Sequence, residues 1–383
     1  MVTYPSDWEI SQIDKIADIT TGCRDVKDSV KNGKYPFYVR SKDVERINFY
    51  DFDCEAVLTA GDGGAGKIFH YKNGKFAAHQ RVYVISKFEK VDGKYFYYFF
   101  SKNFLQEVEK YTAKSTVDSV RRPMIANMEF PLPPFKEQQA IASALSDFDE
   151  HIDNLSELIE KKKAIREGAL EDLLSGRTRL DGFDGEWIES TIEDSTKEII
   201  TGGTPSTTVD KYWGGSIPWL ASTEIHQKII TRATKNITKI GLNNSSSKMA
   251  PKDSVLIALA GQGKTRGTAA FLAYPMALNQ SLAALVAADE TDSKFLYYLI
   301  ENMYLELREL SSGDGGRGGL NKTLIKNINI RLPREIKEQH AIAEVLTAMD
   351  EEIESLKIEK EKMIQIKEGA MDDLLIGRVR LKV

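Results

Sequence analysis

The residues with the clearest chemical potential form the turn Gly61-Asp62-Gly63-Gly64-Ala65-Gly66-Lys67, which satisfies the spacing GxxxxGK after the strand-like run AVLTA. Glycines so spaced let backbone N–H groups curl around a phosphate, and the lysine reaches the β- and γ-phosphates of a nucleotide. A second turn, LAGQGKTRG, sets Gly263, Lys264 and Thr265 in a similar order. A nucleotide loop also needs a hydroxyl for Mg²⁺ and a following helix. Ile68 stands where the first turn needs the hydroxyl, Ala258 where the second needs its leading glycine, and IFHYKNGKF after Lys67 reads as a hairpin. LAALVAADE, ending at Asp289-Glu290, resembles an acidic strand, yet its counterpart VYVISKFE has no Asp there. ATP hydrolysis is therefore disfavoured. The same atoms suit a polyanion: a Gly-rich turn admits it closely, and Lys67, Lys264 and Arg266 neutralise phosphates or reach a base edge. A plain tight turn with a solvated lysine is the alternative.

A second pair of polar segments precedes the last strand of each half. The first is KSTVDSVRRP, with Lys114, Ser115, Thr116, Ser119, Arg121 and Arg122; the second is SSGDGGRGGLNK, with Ser311, Arg317, Asn321 and Lys322. Arginine suits guanine, Asn or Gln suits adenine, and Ser or Thr suits phosphate. Arg81, heading RVYVIS, and Gln262, inside the second Gly-rich turn, share that vocabulary. A solvated loop is the competing reading. Ile200–Thr207, Arg40–Asp43 and Ser222–Glu224 are weaker candidates of the same kind. The two segments differ strongly between the halves while their flanks agree, as two readers of different sequences would.

Catalytic signals are missing. No NPP-[YF] or DPP-[YF] tetrapeptide, FxGxG cofactor loop, nuclease carboxylate spacing or His/Cys nucleophile pair is found. Cys23 and Cys54 make no disulfide framework, and the five histidines stand singly, without metal-ligand spacing. A net charge of −5 argues against binding nucleic acid by bulk charge. Residues 1–135 hold 20 Lys+Arg against 18 Asp+Glu, and 181–336 hold 17 against 18, so a DNA-facing patch must be local and lie on these parts. No apolar run approaches the roughly 18 residues of a membrane span, and no leader opens the chain; a cytoplasmic location is expected.

These segments are positioned by a duplication. Lys136–Leu180 aligns without gaps on Lys337–Leu381, with 24 identities in 45 positions. Apolar residues alternate four and three apart: Ile141, Leu145, Phe148, Ile152, Leu155 and Ile159 in one copy, and Ile342, Leu346, Met349, Ile353 and Leu356, then Met363, Ile366 and Ala370, in the other. That is the seam of a long helix, weakened at Lys162 and Lys360. Pro133-Pro134 and Pro333 precede the helices, and Gly176 and Gly377 supply left-handed caps. About 40 residues give roughly 60 Å of helix. The repeat extends to KYFYYFF and KFLYYLI, to FAAHQ and MALNQ, and to Trp8 and Trp187. The chain divides as globular unit 1–135, helix 136–180, globular unit 181–336 and helix 337–383. Each unit is of mixed α and β composition, with strands at Arg81–Ser86, Ser254–Leu259 and Leu324–Ile330, turns at Asn73-Gly74 and Asp92-Gly93, and one helix near Tyr95–Lys110 or Phe295–Leu310. The short linker after the first helix predicts an intramolecular antiparallel coiled coil, pseudo-two-fold in symmetry, with the termini meeting. Pairing with another molecule is the alternative.

Each helix opens with KEQ-x-AIA (Lys136–Ala142, Lys337–Ala343) and ends with LL-x-GR-x-RL (Leu173–Leu180, Leu374–Leu381). In these motifs and in its alternation of unlike units with near-identical helices, the whole chain resembles the specificity subunit of type I restriction-modification systems. That resemblance implies a non-catalytic subunit with two target-recognition domains, each reading half of a bipartite site in double-stranded DNA. It implies paired helices that set the spacer and dock two adenine-N6 methyltransferase subunits, and nuclease/translocase subunits that join for cleavage. No cofactor is expected in this chain; S-adenosylmethionine, ATP and Mg belong to those partners. The same architecture serving a type II-like methyltransferase/nuclease, a P-loop ATPase and a plain coiled-coil scaffold are the competing readings.

Overall fold

In the run FDCEAVLTA, successive apolar side chains turn to opposite faces of a strand. In the computed structural model Val57 enters one apolar cluster, and Ala56 and Leu58 enter another. The structure describes residues 4–111, 119–311 and 319–382. They divide into two units: Met1–Glu157 with Lys357–Val383, and Leu158–Leu356.

The first unit contains β1 (Glu9–Gln12), β2 (Asp18–Thr21), β3 (Tyr35–Tyr38), β4 (Glu45–Ile47), β5 (Phe52–Ala60), β6 (Phe69–Ala78) and β7 (Val82–Ser86). After them come α1 (Gly93–Lys110), α2 (Arg122–Ala126), β8 (Glu129–Leu132) and the start of α3 (Phe135–Ser175). A six-stranded sheet runs β2-β7-β5-β6-β3-β4, with β3 parallel to β6 and the other neighbours antiparallel, while β1 pairs with β8. Asp92 caps α1 by accepting from the N–H groups of Lys94 and Tyr95, so Asp92-Gly93 starts a helix. The aromatics of α1 are core, with Phe96 stacked on Phe130 at 4.9 Å. Asn73-Gly74, expected as a turn, lies inside β6 opposite Glu55 and Cys54. The nine-residue β5 offers hydrogen-bond partners along that whole stretch, and Gly74 absorbs the bend at φ +102°.

The second unit follows the same plan with β9 (Trp187–Thr191), β10 (Thr196–Thr201), β11 (Trp213–Leu220), β12 (Ile229–Ile230), β13 (Lys235–Ile237) and α4 (Lys239–Asn243). Next come β14 (Lys248–Ala250), β15 (Val255–Ala258), β16 (Ala269–Leu272), β17 (Met276–Leu278) and β18 (Leu282–Ala287). It closes with α5 (Ser293–Asn302), α6 (Tyr304–Leu310), α7 (Lys322–Lys326), β19 (Asn329–Pro333) and the start of α8 (Ile336–Leu374). Here the sheet is split into β10-β18-β15-β16-β12 and β13-β11-β17-β14. Pro275, lacking an N–H, stands between β16 and β17 where the first unit has one continuous β6.

Two expectations are corrected here. Leu324–Ile330 is not all strand: Asn321 caps a short helix by accepting from Leu324 N–H, and the strand begins at Asn329. The helix expected over Phe295–Leu310 breaks at Met303, whose N–H divides between the carbonyls of Leu299 and Ile300 and tightens the last turn.

The long helices pair within each unit, and in each they run antiparallel. In the first, Lys367 of α8 bonds Asp149 of α3, His151 faces Glu359 at 3.7 Å, and Leu145 packs in one cluster with Met371 and Leu374. In the second, Lys162 reaches Glu352 at 2.7 Å and Arg166 reaches Asp350 at 2.9 Å. Ile141, Leu145, Leu155, Ile159, Ile342, Leu346 and Ile353 are buried, and Phe148, Ile152, Met349 and Leu356 are half-buried. Ile366 is 53% exposed and leaves the expected seam. A helix of 3.6 residues per turn drifts against a seven-residue repeat, so Lys367 is the residue that faces α3.

Candidate nucleic-acid interface

Motifs at the helix ends hold each unit together. Gln138 Nε2 donates to the carbonyls of Pro133 (2.8 Å) and Lys90 (3.1 Å), and its Oε1 accepts from Asp92 N–H. Gln339 repeats this with Pro333, Glu290 and Asp292. In the first unit the buried Glu137 accepts from Nη2 of Arg380 at 2.6 Å, while Arg380 also spans Asp7 near the chain start. In the second, Arg179 donates Nε and Nη2 to Glu338 at 2.6 and 2.8 Å. Gly176 and Gly377 end the helices at φ +72° and +73° and press against Trp187 and Trp8 respectively. KEQ and GRxRL are thus structural locks.

The Gly61–Lys67 turn joins β5 to β6. Gly61 N–H donates to Arg81 C=O (2.8 Å), and Val120 N–H donates to Gly61 C=O (2.7 Å). Asp62 bridges to Ser119, so the turn, the head of β7 and the end of the KSTVDSV segment meet. Gly64 and Gly66 have φ of +156° and +70°, and a Cβ on Gly66 would crowd Leu105 of α1 at 3.2 Å. The Asp62 carboxylate accepts from Arg40 and Arg81, and the Arg40 bond above all holds its carboxyl below the usual range. Burial, and then the Arg40 charge, depress His79 as well; the neutral ring takes the Arg81 N–H on Nδ1 at 3.0 Å. Lys67 is exposed, and Arg121 and Arg122 are exposed at the start of α2. The chain runs from Lys67 into strand β6, so no helix N-terminus stands behind the turn.

In the second unit Leu259 N–H donates to Ser281 C=O and Leu320 N–H to Leu259 C=O, the same pattern. Gly261 and Gly263 have φ of +149° and +59°, so GQGK copies the backbone of GAGK in Gly64–Lys67. Tyr304 and Arg308 of α6 donate to the carbonyls of Lys264 (3.2 Å) and Gly263 (2.6 Å) and brace the turn. Gln262 and Lys264 are exposed; Arg266 is half-buried, its Nε without a partner among the described residues. Asn321 spends its side-chain oxygen on the α7 cap, next to exposed Lys322. Lys114, Ser115, Thr116 and Arg317 lie outside the described residues. Sequence reasoning passed over Asp62 and His79. His79 lies in FAAHQ, whose repeat MALNQ puts Asn279 in the same role, accepting Ser281 N–H at 3.1 Å. Asp62 carried no signal beyond its place among glycines.

Two units with related strand patterns and unlike loops, each packed on segments of both long helices, make this a duplicated, paired-module protein. A family profile described as "Type I restriction modification DNA specificity domain" matches residues 5–164 and 185–367. The chain is 27% identical over 418 aligned positions to the Type I restriction enzyme MjaVIII specificity subunit of Methanocaldococcus jannaschii, covering 99% of this chain and 94% of that one. It is 31% identical over 162 residues to the EcoDI specificity subunit of Escherichia coli, spanning 42% of this chain and 34% of that protein. The crystal structure of a type I restriction-modification S subunit from M. genitalium has the same fold, with TM-score 0.67, 18% identity and 96% of both chains covered. The chain belongs to the type I DNA specificity subunits. Among the described residues, no cluster of His, Cys, Asp and Glu could hold a metal ion, and no helix is long and apolar enough to cross a membrane.

Proposed function

We propose that each unit reads one half of a bipartite site in double-stranded DNA. In the first unit the contacts come from Lys67, Arg81, Lys114, Ser115, Thr116, Arg121 and Arg122. In the second they come from Gln262, Lys264, Arg266, Arg317, Asn321 and Lys322. Segments 1–135 and 181–336 are the target-recognition domains; 136–180 and 337–383 set the spacer and dock two adenine-N6 methyltransferase subunits. The chain itself catalyses nothing. S-adenosylmethionine, ATP and Mg act on the methyltransferase and nuclease/translocase partners.

The observation that carries this reading is that GAGK and GQGK hold glycines of closely similar positive φ at matching places, +156° and +70° against +149° and +59°, while Gln262 replaces Ala65 between them. Such a frame keeps phosphate-level positioning while the letters change. Gly168 and Gly369 support docking: both stand exposed within their helices, a costly choice there, and no described residue lies within 4 Å of a Cβ placed on either. The test is to sequence modified adenines in a host expressing this chain with its methyltransferase, before and after exchanging residues 181–336. One half of the motif changes and the other stays; a motif unchanged in both halves refutes the reading. Deleting a heptad from both helices shortens the gap or abolishes modification.

A further inference from the structure

Asp62 stands between two arginines from different strand ends: Arg40 Nη1 donates to Oδ1 at 2.7 Å, and Arg81 Nη1 to Oδ2 at 2.6 Å. Among the described residues the second unit has no such trio. The parallel pair Tyr38↔Ala78 matches Leu220↔Leu278, which puts Ser222 where the first unit has Arg40. The matching turn bonds put Ser281 at the place of Arg81 and Ala260 at that of Asp62.

Each guanidinium meets Asp62 through one terminal nitrogen, and the described residues give its Nε and Nη2 no other hydrogen bond. That edge is the fork that fits the O6 and N7 acceptors of guanine. The side chains remain 39% and 62% exposed, so the fork is reachable. A carboxylate beside a phosphate-binding arginine would repel the phosphate, whereas beside an uncharged base edge it costs little. It also orders two long side chains before DNA arrives, which lowers the entropy lost on binding.

We propose that Asp62 positions Arg40 and Arg81 as guanine readers, so that the half-site met by the first unit contains guanine while Ser222, Ala260 and Ser281 read none in the other half. This rests on the reading of each unit as a half-site reader. Asp62 is the positioning residue; the arginines make the base contacts.

The experiment uses the full chain in complex with its methyltransferase. Binding is measured against duplexes substituted one position at a time, with the two halves assigned by the 181–336 exchange. The expected result is guanine in the first half. Arg40→Ala and Arg81→Ala each lower discrimination at one of its positions at least about tenfold, leaving discrimination in the other half unchanged. Arg81→Lys does not rescue, because an ammonium lacks the fork. Asp62→Asn lowers discrimination at the same positions with thermal stability of the complex as a control. A first half without guanine, or arginine variants that weaken every duplex alike with a shallower salt dependence, overturns this proposal alone. A wild-type complex without sequence preference overturns it together with the half-site reading.

Discussion

Arg179→Ala tests the lock of the second unit. The substitution removes donors at 2.6 and 2.8 Å from a Glu338 side chain that is only 1% exposed. Trp187 Nε1, at 3.4 Å, is then the remaining side-chain donor among the described residues. Stripping one partner from a buried ion pair costs about 3–5 kcal/mol. Arg179 is itself 28% exposed, and solvent screening at that end reduces the expected loss to about 2–4 kcal/mol. For a unit of this length each kcal/mol moves Tm by roughly 2–4 °C, so the second unit should melt about 5–15 °C lower. Hydrogen exchange followed by mass spectrometry through a thermal ramp separates the units, with peptides from β9 and β19 reporting the second and from β1 and β8 the first. The loss falls on the second unit; Arg380→Ala, which strips Glu137, places it on the first. Arg179→Met combined with Glu338→Leu recovers at least about 1 kcal/mol, because the stranded carboxylate is gone. A loss under about 1 kcal/mol, or no recovery in the double variant, would refute the buried-lock reasoning.

Other perturbations probe local geometry. Gly168→Ala and Gly369→Ala each stabilise the free protein by about 0.5–1 kcal/mol, seen as a higher midpoint in urea, since a methyl there meets nothing within 4 Å. Gly377→Ala destabilises more than Gly176→Ala: both carry the left-handed penalty of about 1–2 kcal/mol, but only at Gly377 would the methyl lie 2.5 Å from a proline ring carbon. Equal midpoints for those two variants would contradict it. Asp62 titrates below its ordinary value, so its contribution is fully present above about pH 4 and is lost as the pH falls through the depressed folded value. The stability gap between wild type and Asp62→Asn, measured by urea titration, therefore narrows as the pH is lowered below about 4; a gap that stays constant excludes the role given to its two arginine bonds.

Periodicity, caps and repetition are local properties, and they were legible without coordinates. The four-three spacing from Ile141 onward, the glycines at 176 and 377 and the gapless copy of KEQ and GRxRL specified two long helices and the family they belong to. The paired strands around Ala77 and Ala277 were visible as a repeat, though not their parallel partners in β3 and β11. Where local preference and tertiary pairing competed, tertiary pairing won: Asn73-Gly74 stayed in a strand because β5 lay alongside it, and Ile366 turned outward because helix drift brought Lys367 to Asp149. The roles of KEQ and GRxRL depended on Glu338 meeting Arg179, 159 positions away, and Glu137 meeting Arg380, 243 away. Likewise Arg40, Asp62 and Arg81 come from three separate strand ends, and a shared carboxylate at hydrogen-bond distance is a fact of folding that no spacing along the chain encodes.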